Sequence, residues 1–393
     1  MRLIFLLLFI LLPFSAFSAT VERIEIEGLK WTKEEFVRRE LLLKPGEEFS
    51  EEKLKESVRN LLNTHLFYEV KPSVERFEGK VVVRLKIRER FPIVPLPKLR
   101  LKSDGSYRAG LEVRDYNVGG MGHRLYAGYV KWFNSDHREF KYYLRLYLYR
   151  LLNDVDFGIG AYRSLYSSED ANGREYTVSS VSVPFYMKRY LDPKKVNQLS
   201  LGFTPVRLRY TDPFKDRDFY YTSFTFVRDS STDRVYFVEG RRYGISLSYS
   251  VPSISSVSTG SVRVSYSNSV AVKGAETRIY ELFLGTKLGY RSDSLLISAP
   301  LSGYRGSKVL GEKYAVAGVS YRKPLIDKWL FVKPSVRVGD AFDSSPDDLL
   351  VSVGLEVEAF WVKLVDGIIR FKLFRGLGPG GDTSSSFKLS FRW

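Results

Sequence analysis

Cysteine is absent from the 393 residues, which excludes disulfides, thiolate metal sites and lipid attachment through an N-terminal cysteine. Histidine is nearly absent. His65, His123 and His137 are scattered, and none stands at metal-ligand spacing or beside a nucleophile. The glycine-rich stretch LGPGG (377–381) joins two strand-like runs rather than a strand and a helix, so it is not a phosphate cradle. No catalytic residue, metal or cofactor is therefore expected, and the chain does not read as an enzyme. Also missing, after the first dozen residues, is any apolar run near the roughly 20 residues that a spanning helix needs.

The N-terminus supplies an export signal. Arg2 precedes an unbroken apolar run from Leu3 to Leu12, Pro13 ends it, and Ala16-Phe17-Ser18 offers the small-x-small pattern of a cleavage site. Residues 1–19 thus read as a signal peptide. The exported remainder is aromatic-rich, with 26 Tyr and 27 Phe, as expected of strands that cross an outer membrane. Residues 20–91 hold 16 basic and 15 acidic side chains, so nearly all of the net charge of +16 lies beyond them. That excess belongs to strands lining a lumen or facing anionic headgroups. No soluble basic surface for nucleic acid is evident.

Residues 20–91 differ from everything after them. VERIEIEG (21–28) alternates as a short strand. Thr32, with Glu35 three residues on, signals the start of a helix over TKEEFVRREL. Ser50 caps a second helix whose apolar positions Leu54, Val58, Leu61, Leu62 and Leu66 recur at helical spacing. YEVKPSVERF (68–77) and KVVVRLKIRER (80–90) read as two strands about a Glu78-Gly79 turn. This βααββ order is a small α+β domain. With LKPGEEFSEEKLKESVRNLLNTHLFYEV (43–70) at its centre, it resembles a POTRA domain, the polypeptide-transport-associated module. The resemblance implies that an extended client segment adds to the sheet edge along Tyr68, Val70 and Val74.

FPIVPLP (91–97) reads as a proline-rich linker, and residues 92–104 as the approach to a barrel over 105–393. From there period-two alternation replaces helical spacing. In LLVSVGLEVEAFW, Leu349, Val351, Val353, Leu355 and Val357 share one face, and Ser352, Gly354, Glu356 and Glu358 the other. RYGISLSYSV repeats the design with Tyr243, Ile245, Leu247 and Tyr249. A face of Ser, Gly, Arg and Tyr suits a wet lumen rather than a dry core. Sixteen runs are counted, from one near Tyr107 to one near Ser386, those near Tyr220 and Ser294 being the least regular. The expected fold is mainly β: a sixteen-stranded transmembrane antiparallel β-barrel preceded by one small α+β domain.

The barrel half resembles the outer-membrane assembly and translocation barrel superfamily (BamA-type, TamA-type and two-partner secretion proteins). Within GYRGSKVLGEKY (303–314), Tyr304, Arg305 and Gly306 match the family's loop motif. In VGDAFD (338–343) Asp340 matches its acidic partner, and in SYRKPL Arg322, Pro324 and Leu325 match the strand after the loop; Ser307, Ser320 and Phe342 depart from the pattern. DYNVGGMG (115–122) resembles the turn after the family's first strand. The chain ends FKLSFRW on an alternating strand. The resemblance implies a protein that assists insertion of other proteins into the outer membrane, with the POTRA domain in the periplasm. Tyr107, Ala109 and Leu111 would form a seam with Phe387, Leu389, Phe391 and Trp393 that opens to template client strands. The partners it implies are unfolded outer-membrane or secreted polypeptides, outer-membrane lipids, and periplasmic chaperones or accessory assembly proteins. Two alternatives are a channel secreting one partner polypeptide and a passive pore. A pore leaves residues 20–91 unexplained. Secretion relatives usually carry two POTRA domains and a plug helix, for which no room is expected here.

Overall fold

The computed structural model describes residues 19–393 except 103–106, 134–138, 153–154, 170–174, 212–213, 234–235, 291–295, 305–308, 347, 362–366, 379 and 392–393. The expected signal peptide lies outside the described residues, save Ala19. The chain divides into two units, which meet between Glu89 and Arg90.

The first unit contains β1 (Thr20–Glu27), α1 (Glu34–Glu40), α2 (Glu51–Asn63), β2 (Phe67–Phe77) and β3 (Lys80–Glu89). Its sheet runs β1-β3-β2, with β1 parallel and β2 antiparallel to β3. Val21, Ile24, Val81, Val83, Leu85 and Ile87 from the sheet meet Phe36, Val37, Leu54 and Leu61 from the helices in a buried core. Ser50 caps α2 as expected, its hydroxyl accepting from the Lys53 amide at 3.2 Å.

Thr32 does not cap α1. The helix starts two residues later, after Lys33, with no side-chain cap. The amides of Lys30, Trp31 and Thr32 instead donate to the carboxylate of Glu89, at 2.9 Å for the last two. A carboxylate from the far end of β3 thus orders this turn, and nothing local in the sequence signals it. Glu89→Ala leaves three amides without that acceptor. The expected cost is about 2 kcal/mol, in the range for hydrogen bonds to a charged group, read as faster amide exchange at residues 30–37.

The second unit is a closed antiparallel barrel. Its strands are β4 (Ile93–Lys102), β5 (Tyr107–Val118), β6 (His123–Phe133), β7 (Phe140–Leu152), β8 (Val155–Glu169), β9 (Glu175–Ser182) with β10 (Phe185–Tyr190), β11 (Asn197–Tyr210) and β12 (Arg217–Asp229). After the short β13 (Thr232–Asp233) come β14 (Val238–Ser250), β15 (Thr259–Ala271) and β16 (Thr277–Gly289). Two-residue strands β17 (Ile297–Ser298) and β18 (Leu310–Gly311) lie in the next loop. β19 (Lys313–Ile326), β20 (Leu330–Phe342), β21 (Leu350–Trp361), β22 (Gly367–Leu377) and β23 (Thr383–Phe391) complete the wall. β9 and β10 occupy one place between β8 and β11 and are interrupted at Val183-Pro184, where proline has no amide to donate. Counted so, and without the short β13, β17 and β18, the wall has sixteen strands.

The number agrees with the sequence reading, but two assignments exchange places. FPIVPLP is not a linker: most of it lies in the first barrel strand, β4. The run near Ser294 is not a barrel strand. Its described part forms β17, which pairs with β18 inside the loop. Prolines suggested a linker because they end most ladders. Here β4 pairs with β5 continuously from Ile93 to Leu101, and Pro95 and Pro97 direct their missing donors to the other side.

Burial in the barrel is inverted relative to a soluble protein. Leu144, Ile245, Leu247, Val336 and Leu355 are all exposed, whereas Ser352, Glu356 and Glu358 on the opposite phase are 0%, 2% and 5% exposed. A closed ladder that turns its apolar face outward and its charges inward satisfies the backbone internally and suits lipid outside.

Candidate functional site

The lumen is built around two charged centres. On β5, Glu112 is 1% exposed and takes Lys98 at 2.7 Å, Arg145 at 3.5 Å, Arg114 and the Tyr143 hydroxyl. On β21, Glu358 pairs with Arg322 at 2.8 Å and Arg370 at 2.9 Å, and Glu356 with Lys333 at 2.7 Å and Lys372 at 3.1 Å. The Arg322 guanidinium also lies 3.6 Å from the centre of the Phe331 ring. Tyr236, from the turn between β12 and β14, packs on Phe331 and Phe360 beside it. Call the end where Ile93 starts the near end. That turn and the β19–β20 turn both lie there.

The described parts of the loop after the eleventh strand, residues 296–304 and 309–312, fold back into the far half of the lumen. Ile297, Ala299, Leu301, Tyr304 and Val309 pack with Tyr314, Val316 and Leu350 of the wall. The Arg337 guanidinium donates to the Pro300 carbonyl at 3.1 Å, and the Ser352 hydroxyl to that of Ser302 at 2.5 Å. The Gly303 carbonyl accepts from the amides of Gly376 and Asp382. Gly303 has φ +86° and lies so close to β22 that a Cβ would stand 2.4 Å from the Gly376 nitrogen, so only glycine fits.

Tyr304, expected in the loop motif, is 9% exposed. Its hydroxyl accepts from the Val351 amide at 2.9 Å and lies 2.6 Å from the Leu377 carbonyl. Tyr304→Phe should cost about 1–3 kcal/mol through the amide left unsatisfied, measured as a lower temperature for loss of heat-resistant gel mobility. Arg305 and Gly306 lie outside the described residues. Asp340 is buried at the far end of β20, where its carboxylate accepts from the Ala341 amide at 2.7 Å.

Arg322 does not join that motif. Asp340 is opposite Ala315, seven residues up β19 from Arg322, about 23 Å of strand at 3.3 Å per residue. Arg322 serves the near-end pair with Glu358 instead. Glu356 and Glu358 were visible in the sequence only as polar residues on one face, and their convergence with strands distant in sequence had no local signal.

The expected seam also needs correction. Tyr107, Ala109 and Leu111 lie on β5, the second strand, flanked by β4 and β6. Among the described residues, the last strand, β23, closes on β4 through the pairs Ser386↔Lys102, Phe387↔Leu101 and Lys388↔Arg100. Its other side pairs with β22 over nine positions, Thr383 to Phe391. The recorded pairs of β23 with β4 end at Lys388, ahead of Leu389 and Phe391, and Trp393 lies outside the described residues. The closure also aligns cations: Arg370, Lys388, Arg100 and Arg108 stand opposite one another in succession across four strands. Like charges directly opposed weaken a sheet.

On the first unit, β2 is one of the two edge strands of the sheet, with β1 at the other edge. Val74 is partly exposed there and Tyr68 lies under the Arg88 guanidinium. Val70 is 7% exposed and belongs to the core, so its side chain is not a docking contact. From Lys71 to Phe77 every residue is exposed. Pro72 removes one amide from this edge, which an edge strand tolerates.

The chain thus joins a small βααββ domain to a sixteen-stranded antiparallel barrel with an inward-folded loop after its eleventh strand. Residues 19–90 match the POTRA family model, described as a surface antigen variable number repeat. A putative outer membrane protein assembly factor of Treponema pallidum (strain Nichols) is 50% identical over 54 residues, which are 14% of this chain and 6% of that protein; the match thus spans only a small part of that relative. The fold is that of BamA from Haemophilus ducreyi lacking POTRA domains 1–3 (TM-score 0.60, 16% identity, 95% of this chain and 84% of that one). It is equally that of CdiB from Acinetobacter baumannii (TM-score 0.66, 13% identity, 95% and 74%).

Proposed function

We propose that this protein resides in the outer membrane and assists assembly of other polypeptides there, with its POTRA domain in the periplasm and the near end of the barrel facing it. The observation that carries the reading is the seam between β4 and β23, for which three residue pairs are recorded among the described residues. A barrel whose only task is to stay closed gains from a full ladder at every junction, because unpaired backbone groups in hydrocarbon cost several kcal/mol each. A junction that must part gains from a short one. Client strands dock on the β2 edge of the POTRA domain by backbone pairing and are then templated at the seam. The protein acts as a scaffold with no catalytic chemistry of its own.

The inward loop and the near-end turn argue against a passive pore, since both place side chains in the lumen. A translocation channel is the second reading, supported by the likeness to CdiB. Depletion separates the two. For an assembly factor, several outer-membrane barrels disappear from the membrane fraction, and loss of one secreted polypeptide with all barrels retained overturns the reading. Placement has its own test: the protein should fractionate with outer membranes and migrate faster on gels when unboiled. Recovery in the soluble periplasm would end the proposal.

A further inference from the structure

Five cations face the lipid near one end of the barrel. Arg189 on β10, Arg228 on β12, Arg241 on β14, Arg278 on β16 and Lys323 on β19 are all exposed. Each shares the strand phase of an exposed apolar residue, Met187, Phe224, Ile245, Leu282 and Val319 respectively, so all five point out of the barrel. Strand pairing also puts them at one height. At a tilt of about 40°, a step to the next strand along a directly opposed row climbs about 3 Å, and two residues along a strand cover about 5 Å. The row that starts at Leu148, beside the near-end turn of β7, runs through Met187 and Phe224 to Thr286, close to the far end of β16. That fixes the sense of the climb. Arg189 is opposite Leu199, which is opposite Phe226, and Arg228 lies two residues back toward the near end. The same setback separates Arg228 from Arg241, Arg241 from Arg278 and Arg278 from Lys323. Each climb is thereby cancelled, and the five stay within about 3 Å of one level.

Tyr243, Tyr280 and Tyr321 lie just to the far side of that level, as an aromatic belt does at a membrane–water interface. Near the far end, Arg207 and Arg209 share Asp218 at 3.4 and 3.0 Å. Among the described residues, the five near-end cations have no carboxylate at ion-pair distance. Next to Arg189 the outer wall carries an apolar groove of about 430 Å³. Its floor is backbone, where Tyr186 is opposed by Gly158 and Gly202, and its flanks include Met187 with Leu201 and Phe185 with Phe203.

We propose that this side of the near rim binds anionic phospholipids of the adjoining leaflet, with phosphate groups on the five cations and an acyl chain in the groove beside Arg189. Four of the five are arginines, whose planar donors match phosphate oxygens, and their long side chains reach the headgroup level from the wall. The groove ties the anion to a lipid rather than to free phosphate. The site is confined to wall strands six to twelve. Ile93, Leu125, Val155 and Leu330 occupy the near ends of β4, β6, β8 and β20 on the lipid-facing phase and carry no charge.

Because the chain has no cysteine, a fluorophore can be placed at one position. In full-length protein in nanodiscs of phosphatidylcholine and phosphatidylglycerol in equal proportion, the label on Val270→Cys, opposite Arg278, reports on the belt. Headgroup-spin-labelled phosphatidylglycerol should quench it several-fold more than the phosphatidylcholine analogue does. The same label on Leu125→Cys should show no preference. Replacing all five cations by glutamine should remove the preference at position 270, with heat-resistant gel mobility confirming the fold. Leu201→Trp, which fills the groove, should at least halve the phosphatidylglycerol that survives detergent washing in native mass spectra. Equal preference at 270 and 125 in the otherwise unchanged protein would mean attraction by net charge alone and overturns the site, whether or not the glutamine variant folds. A preference that persists in the folded glutamine variant overturns the assignment to these side chains, and undiminished retention in Leu201→Trp overturns the part given to the groove.

Discussion

Oxidising a barrel that carries Leu101→Cys and Phe387→Cys should abolish assembly of client proteins, and reduction should restore it. The two residues are directly opposed at the centre of the seam. A bonded antiparallel pair has Cα atoms about 5.5 Å apart, within the range a disulfide accepts. The chain has no cysteine of its own, so the bond formed is unambiguous. Oxidation makes this closure covalent and should also raise the temperature at which heat-resistant mobility is lost. A strand-templating mechanism needs the two edges to part, so function should fall at least tenfold. Full activity in protein shown to be completely oxidised would remove seam opening from the mechanism and favour transport through the lumen.

Glu358→Ala should be the most destabilising single lumen substitution, costing on the order of 3–5 kcal/mol as expected when one partner of a buried pair is removed. Arg322 and Glu358 have side chains only 6% and 7% exposed, and Arg370 shares the same carboxylate. Removal takes this carboxylate from the Arg322 guanidinium beside Phe331 and Phe360, while Arg370 retains Glu356 at 3.3 Å. Glu358→Gln keeps an acceptor but loses the charge, so it should fall between wild type and alanine. The readout is the transition temperature of the folded form on unboiled gels. Equal heat resistance of all three proteins would show that water in the lumen compensates the charge and that this centre contributes little.

The broad architecture was legible in the sequence because it rests on local periodicity. Two helical stripes and three alternating runs define the POTRA domain, and the period-two runs beyond residue 104 define lipid-facing and lumen-facing rows. The position of the motif loop was legible too, since GYRGSKVLGEKY precedes a strong run starting near Tyr314. The prolines of FPIVPLP misled for a physical reason. Proline excludes one side of a strand from pairing, not both, and which side lies open depends on strand order. The seam expected at Tyr107, Ala109 and Leu111 therefore lies one strand too late, on β5 instead of β4.

Pairings between residues distant in sequence had no local signal. Glu89 beneath the turn before α1, Tyr304 between β21 and β22, and Arg322 with Glu358 rather than with Asp340 are each set by strand register and closure. Alternation along a strand tells which residues share a face, because successive side chains point to opposite sides. It carries no information on which strand lies beside it or at what offset. Local periodicity alone is enough for a βααββ domain and a sixteen-strand barrel with polar residues inside. That β4, rather than β5, closes on β23 follows only from the folded chain, because closure joins the two ends of the barrel, which share no local signal.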